Sequence, residues 1–203
     1  MGPVAVTIVA EAGRPVAAQL VSARLPEFGP SPPPDAAVAA VLSLEESDLL
    51  LAPYAPQAVS CGVPFLFVPL KNRAALERVR VDRQRWERLL STWWAPHLYP
   101  LTFDPELPGS HLRARMFAPA MGIAEDPATG AAAAALGGYL ALREALASGA
   151  FRWVVEQGFE MGRPSLLEVE ADKSDAQVQE VRVGGASVMV AQGSMEVPLP
   201  GGR

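Results

Sequence analysis

Apolar side chains alternate with their neighbours at Val4, Val6, Ile8 and Ala10, and a second apolar, partly β-branched stretch spans 15–22. The Glu11-Ala12-Gly13-Arg14 segment between them carries a turn signal, so the two stretches predict a β-hairpin. Pro26, Pro30, Pro32, Pro33 and Pro34 crowd the next segment, a composition that favours extended, semi-rigid backbone and marks a domain boundary near it. Asp35 is placed to cap a short helix over 36–42. Residues 48–52 and 58–70 read as strands, the second interrupted by Cys61-Gly62-Val63-Pro64, where a proline implies an edge, a bulge or a site. Leu76 and Val79 share one face of a first short helix, and Asp82 is positioned to cap a second in which Trp86, Leu89, Leu90 and Trp93 fall at i, i+3, i+4 and i+7. Alternation returns over 111–117, 152–155, 166–170, 178–183, 187–190 and 194–197, with turns predicted at 172–175 and at Gly184-Gly185.

The stretch 131–142 breaks this pattern. It holds no charged residue and consists of alanine, leucine and glycine apart from Tyr139. A helix apolar on every side has to be buried, and Gly149 supplies a stop signal, so a central helix is predicted over about 129–147. One long buried helix among many short strands implies an α+β fold, a curved mixed sheet or barrel wrapped around that helix. Directly before it stands Gly122-Ile123-Ala124-Glu125-Asp126-Pro127-Ala128-Thr129-Gly130, two carboxylates followed by a small-residue turn. Pro127 suits a first helical turn, while Thr129 and Gly130 leave backbone donors uncovered. Unpaired amides and the positive end of the helix dipole favour a carboxylate or phosphate there. An aspartate before a helix also serves simply as a cap, by accepting from the second or third amide. Spacing alone leaves both readings open. A nucleotide-binding loop is disfavoured, because no lysine follows the Gly130 turn.

With 203 residues, half of them hydrophobic, the chain can bury a substantial core as one large domain or two small ones. Its net charge of -5 and pI near 5.1 give no general attraction to nucleic acid or to an anionic membrane. Seven of the seventeen basic residues fall within 71–88, but the interleaved Glu77, Asp82 and Glu87 make that segment a solvated helix face. A single cysteine, Cys61, excludes an internal disulfide framework and a multi-cysteine metal site. No apolar run reaches the length of a membrane span, and residues 1–10 lack the basic start and cleavage site of a secretory signal, which points to the cytoplasm.

Three blocks, taken in order, carry a family resemblance: Arg115-Met116-Phe117-Ala118-Pro119, then Gly122 to Ala131, then Glu156-Gln157-Gly158-Phe159-Glu160-Met161-Gly162-Arg163-Pro164-Ser165. Together with Ser60-Cys61-Gly62-Val63-Pro64 they closely resemble the phenazine-biosynthesis PhzF-like family. The resemblance implies the diaminopimelate-epimerase-like fold, with two similar domains and an active site between them. It implies a cofactor-independent isomerase or epimerase that moves a proton on a small carboxylate-bearing substrate. Asp126 matches an active-site aspartate of the family, and Gly130 and Ala131 match the helix start whose amides hold the substrate carboxylate. Gly62, in the fourth block, is a further substrate-binding candidate. The resemblance shifts the Glu125–Gly130 run from helix cap to active-site lip.

The chain departs from the family pattern in three places. Ala131 stands where a serine is usual, and Cys61 where many members carry threonine. The family's proton-shuttling glutamate and a Gly-His block belong to a preceding segment that this chain does not match, so an N-terminal part is expected to be missing. On that reading residues 1–46 are the remnant of a first domain and 47–203 form the second, with its last strands returning toward the first. The expected activity is an isomerase impaired by the missing glutamate, or else a non-catalytic carboxylate-binding remnant. His97 and His111 lie outside the family's histidine block and are read as structural or exposed, and Cys61 as a small buried hydrophobe. No metal or cofactor is implied. A homodimer is expected, both from the family and from the strand edges that an incomplete first domain would expose.

Overall fold

The computed structural model describes residues 4–186 and 191–196. The predicted hairpin is present: β1 (Val6–Glu11) and β2 (Arg14–Val21) pair antiparallel around Ala12 and Gly13, both at positive φ, as a two-residue turn matched to strand twist requires. Next come β3 (Glu27–Phe28) and α1 (Asp35–Val41). Asp35 lies in the first turn of α1 and does not cap it; Pro34 occupies the cap position and no side chain bonds there. The strand predicted over 48–52 is instead a short 3-10 turn, Glu46–Asp48, followed by an isolated bridge from Leu49 to Leu70.

The interrupted strand resolves into β4 (Gln57–Ser60) and β5 (Pro64–Leu70), a hairpin in which Pro64 opens the second strand, where a missing N–H costs least. Asn72 caps α2 (Arg73–Arg78) and Asp82 caps α3 (Arg83–Leu89), each side chain accepting from the third helical amide. These two helices form the crossover that lets β6 (His97–Thr102) run parallel to β5. The region 111–117 is two strands, β7 (Leu112–Ala114) and β8 (Met116–Ala118), parted at Arg115. The remaining elements are β9 (Ile123–Asp126), α4 (Gly130–Ala141), β10 (Gly149–Gln157), β11 (Ser165–Ser174) and β12 (Gln177–Ala186).

The main sheet runs β1-β2-β12-β11-β10-β7-β6-β5-β4-β3, with β8 and β9 branching from β6. Among the described residues its two ends do not meet, so the sheet curves around α4 without closing into the barrel that was one form of the expectation. The mixed α+β class holds. The sheet also crosses residue 46 at two places, since β3 pairs with β4 and β12 pairs with β2. Alternation sorts the core onto two faces. Phe65, Phe67, Tyr99 and Leu101 pack with α4, while Leu66, Val68, Leu70 and Leu98 pack with α1, α2 and Trp86.

α4 is buried from Ala132 to Ala141, as its composition demands, but it is shorter than the predicted 129–147. Buried Lys173 ends it by donating from Nζ to the carbonyls of Ala141 and Glu144, at 2.9 and 2.8 Å. Gly149 does not stop the helix; it opens β10 at φ 155°. The turn predicted at 172–175 falls later, at Asp175-Ala176, both at positive φ, because 172–174 belong to β11, and Gly184-Gly185 lies inside β12. Of the last predicted strands, 187–190 and Val197 lie outside the described residues, and 194–196 have no regular structure.

Candidate functional site

β9 delivers Glu125 and Asp126 to opposite faces of the sheet, because successive side chains on a strand alternate. Glu125 is locked from behind. Buried Arg115 grips it with two bonds of 2.8 Å, from Nε and Nη2, and spends Nη1 on the carbonyls of Leu76 and Val79 at 3.1 and 3.0 Å. This bidentate pair ties β9 to the end of α2 and fixes where the lip starts.

Asp126, half-buried, faces the other way, toward the start of α4. It is not a helix cap: Thr129 occupies the cap position, with no side-chain cap bond, and Pro127 precedes the helix rather than lying in its first turn. The first helical bond is from the Ala133 amide to the Thr129 carbonyl at 3.0 Å. The amides of Gly130, Ala131 and Ala132 therefore have no acceptor among the described residues. Asp126 therefore does not cap α4, and the helix start presents free amide donors.

Four polar groups hold this turn. The Thr129 hydroxyl donates to Asp126 Oδ2 at 2.5 Å. Gln157 Nε2 donates to the Asp126 carbonyl at 2.7 Å and to Thr129 Oγ1 at 2.9 Å. The Tyr99 hydroxyl donates to Gln157 Oε1 at 3.0 Å. Burial, with the Asp126 charge adding to it, holds the Tyr99 phenol well above the ordinary tyrosine range, so it stays protonated. Gly158, at φ 82°, lets the two chain segments close on each other: a Cβ there would collide with the Arg163 carbonyl and come within 2.8 Å of the Pro127 carbonyl.

A cavity of about 290 Å³ opens at Gly130 and Ala131, walled by Val4, Leu20, Cys61 and Ala134. It is apolar except at the helix start and at Ser22. Cys61 stands beside Ser22, and burial pushes its thiol up to about 11, which keeps it an unreactive wall rather than a nucleophile. Gly62 is one residue removed, exposed at φ 130°, with its amide already donating to Ser60 Oγ at 2.9 Å. The structure thus brings Gly130, Ala131 and Cys61 to one cavity, holds Asp126 through Thr129 on the turn that leads into α4, and leaves Gly62 on the turn beside Cys61. His97 is buried beside Phe65, while His111 is exposed and accepts from the Val154 amide at 3.0 Å. Among the described residues no group of three or more His, Cys, Asp or Glu could hold a metal ion, and no helix is long and apolar enough to cross a membrane.

Sequence reasoning singled out Asp126 and the helix start but gave no role to Gln157, Tyr99, Gly158 or Arg115, which hold the surrounding turn and strand in place. Three of these lie in the quoted motif blocks, which were the available signal; Tyr99 carried none.

A family model described as phenazine biosynthesis-like protein matches residues 1–193. That match starts at the first residue and so lends no support to a missing N-terminal part. An uncharacterized isomerase of Mesorhizobium japonicum is 33% identical over 162 residues, 78% of this chain and 54% of that protein. The trans-2,3-dihydro-3-hydroxyanthranilate isomerase of Pseudomonas aeruginosa is 36% identical over 132 residues, 65% of this chain and 44% of that protein. The chain spans about half the length of these curated relatives. Two solved structures share the fold. A phenazine biosynthesis protein of the PhzF family from Bacillus anthracis superposes with a TM-score of 0.77 at 22% identity, covering 89% of this chain and 60% of the other. A predicted epimerase from Pseudomonas aeruginosa gives 0.72 at 29% identity, covering 96% and 64%.

Proposed function

The chain belongs to the phenazine biosynthesis-like family, and from that premise we propose that it is a cofactor-independent isomerase or epimerase that shifts a proton on a small carboxylate-bearing substrate. The observation that carries this reading is the pairing of an uncapped start of α4 with a half-buried aspartate at its lip. Free amides at Gly130 and Ala131 bind the substrate carboxylate, aided by the positive end of the helix dipole. The apolar cavity beside them receives the rest of a small molecule. Asp126 is then the acid–base group for the proton, within a partly buried setting that limits competition from water. Several relatives are named isomerases, and one is named for an anthranilate, itself a carboxylate. One carboxylate is less than the pair that two-sided proton chemistry uses, so slow turnover is expected.

One observation favours a second reading, carboxylate binding without turnover: Ala131 offers no hydroxyl at the helix start. Solvent-deuterium incorporation separates the two. A panel of small unsaturated acids headed by trans-2,3-dihydro-3-hydroxyanthranilate is incubated with the protein in D2O, and binding is followed by calorimetry. Incorporation is expected with at least one acid, falling about 100-fold or more in Asp126→Asn while binding persists. Binding with no incorporation selects the second reading. Neither binding nor incorporation sinks both.

A further inference from the structure

We infer that Gln157 is a positioning residue: it sets the direction of a hydrogen-bond chain that ends on Asp126 and so decides which oxygen of that carboxylate is left for the proton. The chemical part of this inference rests on the isomerase reading above, whereas the chain itself follows from geometry.

The direction is fixed by one group that can only accept. The backbone carbonyl of Asp126 lies 2.7 Å from Gln157 Nε2, and a carbonyl has no proton to give, so that atom must be the amide NH2. The opposite side-chain orientation would set two acceptors against each other. With Nε2 placed, Oε1 is the acceptor and the Tyr99 hydroxyl, at 3.0 Å, must donate to it. The second Nε2 proton points to Thr129 Oγ1 at 2.9 Å. A threonine hydroxyl carries one proton, and because its oxygen is receiving, that proton goes to Asp126 Oδ2 at 2.5 Å. Each hydrogen from Tyr99 to Asp126 therefore has one allowed position.

Tyr99 and Gln157 are fully buried, so water does not compete along this path. Desolvation keeps the phenol protonated, and the chain does not reverse by losing its first proton. At its far end Asp126 accepts at Oδ2, while Oδ1 makes no hydrogen bond among the described residues. Oδ1 is the oxygen that takes the proton from substrate carbon: the C–H bond breaks, its electron pair stays on the substrate, and the O–H bond forms. The same oxygen returns the proton to another carbon, so no further reactant is consumed.

The test uses the full chain, with two readouts. In the first, without any acid present, the side-chain amide protons of Gln157 are followed by 15N-resolved NMR. Two inequivalent, slowly exchanging protons are expected, with contacts to the Thr129 side chain. Thr129→Ser keeps them, while Thr129→Val releases one to faster exchange. Gln157 protons that exchange as rapidly in the unmodified protein as those of an exposed glutamine, or that are unaffected by Thr129→Val, overturn the chain. In the second, deuterium incorporation into the acid identified above is measured at saturation. Thr129→Ser is expected near the unmodified rate, and Thr129→Val and Gln157→Glu about 10-fold or more below it, with the half-saturating acid concentration unchanged because the helix amides are untouched. A wild-type rate in Thr129→Val, or a loss confined to half-saturation, overturns the positioning role. If the unmodified protein incorporates no deuterium into any acid, the isomerase reading fails, and the chain stands or falls on the amide protons alone.

Discussion

His97 shows how burial converts an unremarkable residue into a pH-dependent one. It begins β6 with 5% of its surface exposed, its ring centroid 5.7 Å from that of Phe65, and its Nδ1 has no hydrogen-bond partner among the described residues. Burial disfavours the charged ring and lowers the imidazole below the ordinary histidine value of about 6.5. The native state then binds fewer protons than the unfolded chain in the window just below that value. Stability is complete above the unfolded value and is lost as pH falls through it toward the depressed native one. Melting temperature followed from pH 7 down through this window should fall more steeply for the unmodified protein than for His97→Phe. Equal slopes would show that His97 does not titrate differently on folding. Asp126 was legible from its neighbours in sequence, since its helix start is four residues away. Its partners were not, because Gln157 stands 31 positions later and touches Asp126 only after β9 and β10 have been brought together.

At the scale of elements, two different signals were legible. β1, β2 and the β10–β12 meander have exposed or half-exposed positions, most of which leave alternation in the sequence, whereas β4 and β5, buried along most of their length, were legible as one apolar stretch broken by a turn. β6 is buried on both faces from His97 to Thr102 and has Pro100 at its middle, so neither alternation nor a clean β-branched run marks it. The length of α4 was misjudged for a similar reason. Residues 143–147 are good helix formers, and what ends the helix is the Nζ of Lys173, contributed by a distant strand. The same helix sets a test of packing against propensity. Gly138 is inside α4, where alanine is favoured by about 1 kcal/mol, yet a Cβ there would collide with the ring of Pro26. A proline ring cannot swing aside, and overpacking of this kind costs about 1–3 kcal/mol. Gly138→Ala is therefore expected to destabilise the protein in urea denaturation despite its higher helix propensity. A raised midpoint would mean that Pro26 and its connector yield freely.

At the scale of the whole molecule, strand order is the property furthest from sequence: Leu20 pairs with Val6 on one side and Val183 on the other, and no local pattern announces the second partner. That order leaves β1 at the end of the sheet, with β2 as its one partner strand among the described residues. All six residues of β1 are exposed, including Val6 at 56%, Ile8 at 64% and Val9 at 52%. The segment from Val6 to Ala10 is uncharged, and an uncharged apolar edge presents a row of free backbone donors and acceptors with nothing to repel a neighbour. A second copy would satisfy that edge by antiparallel pairing of β1 with β1, a two-fold arrangement that sets no like charges opposite each other within this segment. Sedimentation velocity is expected to show reversible, concentration-dependent dimerisation. Ile8→Lys, which introduces a charge at the centre of the edge, is expected to return the protein to monomer with its melting temperature little changed, because the side chain is already in solvent. A monomer that persists in the unmodified protein, or a dimer indifferent to the lysine, would place self-association elsewhere or nowhere.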